Sequence, residues 1–145
     1  MKKLLFSSLF MLFCITLIWG QPNNSTKVAD DLSLDGKWIL QKLNGSDVGD
    51  SSNLKIIPYL VFNMESNNIT GFTGCNTITG RANTPGDEIK FNDMSVTKME
   101  CPDAKYEMDI VNMVFYNGPL KYKIDNGNLS IFKEVVELMV FKKSN

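Results

Sequence analysis

The chain has 145 residues, room for one domain, with 15 basic and 16 acidic residues and a formal net charge of −1. It contains no histidine, which excludes Ser-His-Asp and Cys-His catalysis and removes the commonest zinc and iron ligand. A near-neutral balance without a basic block argues against nucleic acid or an acidic lipid surface as the main partner.

The first element is a leader. Lys2 and Lys3 precede an uncharged run from Leu4 to Trp19, and Gly20 offers a small residue at a cut point before Gln21-Pro22. This is the pattern of a secretory signal peptide over residues 1–20. The run is shorter than the ~20 residues a membrane-spanning helix needs, so an uncleaved N-terminal anchor is the lesser alternative. Cys14 sits inside the run behind bulky Phe13, which is no lipidation signal, and a lipid anchor is not expected. Cleavage would remove two lysines and no acids, leaving 13 basic and 16 acidic residues, net −3. The expected location is the periplasm or cell envelope. Residues 21–33 are polar and without apolar period, and read as a flexible linker. The folded domain is expected over 34–143.

Most of that domain reads as strands. Gly36 to Leu43 is the first, ended by the turn signal Asn44-Gly45. Tyr59 to Phe62 follows Pro58, and Asn67-Asn68 turns into Ile69 to Phe72. Cys75 to Arg81 looks like the return strand. Thr84-Pro85-Gly86-Asp87 is another turn, and Glu88 to Phe91 alternates polar with apolar, so one face is buried. Leu120 to Ile124 alternates likewise. Asp125-Asn126-Gly127-Asn128 is a strong hairpin signal, because both central positions of its tight turn want positive φ. Leu129 to Phe132 returns, and Val135 to Phe141 closes the sheet.

One segment breaks the rhythm. Pro102-Asp103 opens a stretch running to Tyr116 and ended by Asn117-Gly118-Pro119, which are helix boundary signals. Tyr106, Ile110, Met113, Val114 and Asn117 share one face at helical spacing. The expected fold class is therefore mainly β: a small curled antiparallel sheet or half-open β-barrel with one packed α-helix.

Two cysteines, Cys75 and Cys101, remain after the leader. An even count in an exported small domain points to a structural disulfide, worth about 3–4 kcal/mol in the chain-entropy account. A redox pair or a nucleophile is the competing reading, with Lys98 as the basic residue near in sequence. Gly71, Gly74 and Gly80 fit bulges and tight turns better than an anion cradle, since no helix follows them. Asn76 is expected to tie turn backbone together, the alternative being an oxyanion donor. Glu100, Asp103 and Glu107 are read as acids near a helix start rather than metal ligands. No catalytic residue, metal or cofactor is expected. Met99, Met108 and Met113 form a candidate apolar ligand groove between helix and sheet, since thioethers adapt to many shapes.

Two segments carry a pattern. Gly71-Phe72-Thr73-Gly74-Cys75-Asn76-Thr77-Ile78-Thr79-Gly80 has the form G-x-x-G-C-N-x-x-x-G, and Thr97-Lys98-Met99-Glu100-Cys101-Pro102 has the form T-[KR]-M-x-C-P. Together they resemble the META-domain family, also called HslJ-like. The flanks Leu34 to Trp38, Leu43-Asn44-Gly45, Pro58 to Phe62, Glu107 and Leu129 to Phe141 agree. The resemblance implies a small barrel or half-barrel with a packed helix, often exported or lipid-anchored. It implies links with heat shock, drug tolerance or virulence, and no established enzymatic activity. The fold has been compared with pilot proteins that hold a lipid chain in a cracked barrel. The expected function is an exported, non-enzymatic envelope or stress-related interaction protein with no membrane span after cleavage. The alternative is a binding module for an acyl chain or other small apolar ligand.

Overall fold

The computed structural model describes residues 33–48, 57–102, 104–116 and 118–144. The expected signal peptide, nearly all of the expected linker, and Asp103 and Asn117 at the ends of the helical stretch lie outside the described residues.

Among the described residues nine strands and one helix follow in chain order: β1 Gly36–Leu43, β2 Ser46–Asp47, β3 Tyr59–Asn63, β4 Asn68–Phe72, β5 Thr77–Asn83, β6 Glu88–Val96, α1 Glu107–Val114, β7 Leu120–Asp125, β8 Asn128–Lys133 and β9 Val136–Lys143. Each strand pairs antiparallel with the next along the sheet, and β1 also pairs with β9. Leaving aside the two-residue β2, eight strands thus form a closed barrel, where the sequence had left open whether the sheet would stay a half-barrel.

Alternation builds the interior. Trp38 and Leu40 of β1, Leu60 and Phe62 of β3, Leu129 and Ile131 of β8 and Met139 and Phe141 of β9 all point inward and are buried. Ile69, Ile78, Ala82, Ile89 and Phe91 continue the layer on β4, β5 and β6. The indole N–H of Trp38 donates to the Leu34 carbonyl at 2.7 Å, so its one polar atom is paired in the core. The turns behave as their residues dictate. Asn126 (φ 50°) and Gly127 (φ 72°) both take the left-handed conformation that a two-residue hairpin demands.

Two elements depart from the sequence pattern. β6 does not stop at Phe91 but runs to Val96 through a bulge, where Asp93 adopts φ 51° and the pairing slips between Thr79 and Arg81. The bulge explains Gly80: a Cβ there would fall on the Met94 side chain and 3.0 Å from the Asn92 carbonyl oxygen. The helix is shorter than the stretch from Pro102 to Tyr116. Ala104 N–H donates to the Cys101 carbonyl and Glu107 N–H to the Ala104 carbonyl, so tight turns occupy this stretch before α1 begins at Glu107. α1 turns Ile110, Met113 and Val114 into the core.

β6 and β7 meet only at Glu88↔Lys121 and Ile89↔Leu120. The helix connecting these two strands packs against β6, and its Met108 and Val111 line a groove with Val96 at the far end of that strand.

Candidate functional site: a saturated amide hub and the groove beside it

The two family-like segments meet beside this narrow seam. Cys75 and Cys101 form a disulfide with Cα atoms 6.0 Å apart. Cys75 is buried and Cys101 half-buried. Gly74 holds φ +105°, a conformation that a side chain would strain, and it turns the chain from β4 toward Cys75. Gly71 serves close packing instead, since a Cβ would sit 2.7 Å from the Tyr59 carbonyl oxygen.

Asn76 is the centre of the arrangement and only 3% exposed. Its Oδ1 accepts from the Met99 N–H at 2.7 Å and from the Thr97 hydroxyl at 2.8 Å. Its Nδ2 donates to the Met99 carbonyl at 3.2 Å and to the Glu107 carboxylate. An amide side chain has two donors and an acceptor oxygen with two lone pairs, and all are used here. No N–H is left over for an oxyanion, so the amide works as a clamp. Thr73, fully buried, completes it: its N–H donates to the Asn76 carbonyl, and its hydroxyl accepts from the Asn76 N–H at 3.0 Å. Thr97 closes the ladder, its N–H donating to the Thr77 carbonyl and its hydroxyl accepting from the Thr77 N–H. Among the described residues no buried side-chain nitrogen or oxygen lacks a partner.

Sequence reasoning missed two parts of this hub. In the sequence Glu107 is an acid near a helix start, whereas in the structure its carboxylate reaches the Asn76 amide. Thr73 carried no signal beyond lying inside the glycine-rich motif. Both depend on partners distant in sequence or on a local turn geometry that composition does not announce.

The three methionines of the expected groove are divided by the structure. Met113 is buried in the core, and it borders a separate, smaller cleft with Tyr116, Leu120 and Lys133. Met99 and Met108 are 61% and 68% exposed and flank an open groove of about 550 Å³ with Val96, Cys101, Ala104 and Val111. Met108 lies on the side of α1 turned from the barrel, five residues before the inward-facing Met113. The barrel interior is occupied by Trp38, Phe62, Phe141 and their neighbours. A larger depression on the outer face of β8, β9 and β1 is lined mostly by polar and charged side chains.

Among the described residues no group of three His, Cys, Asp or Glu side chains is placed to hold a metal ion, and no helix is long and apolar enough to cross a membrane.

Comparison with known proteins gives a consistent picture. The family described as META domain matches residues 30–145. No curated protein gives a significant match. Among solved structures, an NMR structure of a protein from Burkholderia xenovorans is similar at 16% identity and a TM-score of 0.60, covering 100% of this chain and 99% of that one. A second NMR structure is similar at 17% identity and a TM-score of 0.60, covering 74% of this chain and 88% of that one. At such identities the likeness extends to the fold alone.

Proposed function

The chain belongs to the META-domain family, and on that footing we propose that it is an exported, non-catalytic binding domain of the cell envelope whose contact face is the groove between the end of β6 and α1. The observation that carries this reading is the pair Met99 and Met108, left exposed in front of a filled core. Fully burying a methionine is worth about 1.5–3 kcal/mol, so a partner seated here recovers free energy that folding has left unused. The signal-type leader supports export, and the Cys75–Cys101 disulfide is at home outside the reducing cytosol. The saturated amide of Asn76 and the absence of histidine from the sequence support a non-catalytic role. A stress-related setting rests on the family resemblance alone.

The second reading, an acyl chain or other small apolar ligand, draws on the same thioethers. Two observations weigh against it: the barrel interior is packed with side chains, and the groove is an open shelf rather than an enclosed pocket. Native mass spectrometry of the protein purified from its own envelope separates these readings. The expected mass lacks residues 1–20 and two hydrogens, with a protein or peptide retained. A retained lipid would favour the second reading, and an intact leader with free thiols would overturn export.

A further inference from the structure

We propose that the groove takes an extended peptide, which adds as a strand to the free edge of β6 and places an apolar side chain between Met99 and Met108. The proposal rests on the reading of this groove as the contact face and names the class of partner.

β6 pairs with β5 from Lys90 to Val96, whereas its other side meets β7 only at Glu88 and Ile89. Among the described residues no strand lies on that side of β6 beyond Ile89. The Thr97 N–H is turned toward β5, donating to the Thr77 carbonyl at 3.1 Å, and the Met99 N–H is turned the same way, toward Asn76. In an extended chain successive backbone groups point to opposite sides. Val96 and Lys98 therefore turn their N–H and C=O away from β5, toward the groove they line with Met99.

Open strand edges are ordinarily guarded by charge, bulges or cover. Lys90 and the bulge at Asp93 guard the first part of this edge, whereas the last part carries one charge, Lys98, and faces α1 across the groove without a strand paired to it. Alternating donors and acceptors there are matched by another backbone, and an acyl chain offers neither. The apolar wall from α1 supplies Met108 and Val111, so the groove combines a strand edge with a helix face, the arrangement in which peptides are recognised by strand addition.

The test uses the full chain with its disulfide intact, panned against a phage-displayed library of random decapeptides. The strongest binder is resynthesised with one backbone N–H methylated at a time. Strand addition predicts that methylation at every second position weakens binding about tenfold while the positions between tolerate it. The Lys98→Pro variant, which removes a donor turned from β5, loses a similar factor at nearly unchanged melting temperature. Should that variant fail to fold, the methylation series still decides. Binders that are lost in Met108→Glu yet indifferent to methylation overturn strand addition and leave the groove as the contact face. A library that yields no binder sensitive to Met108→Glu overturns both.

Discussion

The barrel is closed in two different ways. At β9–β1 the backbone does the work: Trp38 to Leu43 pair with Met139 to Lys143 across five register positions. At β6–β7 only two positions pair, and a helix, a disulfide and one amide side chain hold the neighbourhood together. Backbone pairing asks little of residue identity beyond alternation. Closure by side chains needs particular groups at particular places, which is why the recognisable motifs gather at the second seam. The contrast also separates stability from binding, because the backbone-paired seam leaves no edge while the side-chain seam leaves part of β6 open.

Variants at the two seams sharpen this contrast. The largest effect is expected at the backbone-paired seam. Phe141→Ala removes a ring with 0% exposure and should cost about 4 kcal/mol, seen as a lower urea midpoint with one cooperative transition. A two-step transition would mean that the seams melt separately. Replacing both cysteines by serine should cost about 3–4 kcal/mol, and hydrogen exchange should speed up in α1 and residues 97–101 before it does in β8 and β9. Equal loss of protection in β9 would contradict a local role for the disulfide. Asn76→Ala leaves the Met99 backbone and the Thr97 hydroxyl without their partner, at about 3 kcal/mol by denaturant titration. A cost under about 1 kcal/mol would show that water replaces the clamp. Glu107→Gln keeps the shape but weakens the charge-assisted bond to Asn76, at about 1 kcal/mol, and a thermal shift resolves it.

Legibility in the sequence followed the range of the interactions involved. The hairpin at Asn126-Gly127 was plain, because two adjacent residues dictate its φ values. The second half of β6 was hidden, because the alternation is legible only from Glu88 to Phe91 and pairing with β5 is what carries the strand on through a bulge. The helix was expected from Pro102 and begins at Glu107, since the disulfide at Cys101 and the two turns that follow it come first. Met99, Met108 and Met113 looked alike as residues, and only the tertiary structure separated them: the orientation of α1 put Met113 inside and Met108 outside, and the segment after β6 left Met99 exposed.

By itself the amino-acid sequence determined the alternation of strands, the tight turns, the apolar face of one helix and the two cysteines available to pair. These rest on neighbours within a few residues, where sterics and burial act directly on local conformation. The tertiary structure alone decided that β1 would meet β9, that all of the Asn76 amide would be used, and that one strand edge would stay open beside two exposed thioethers. The first two join groups roughly 20 to 100 residues apart, the third depends on how α1 is set against β6, and no local preference encodes such meetings.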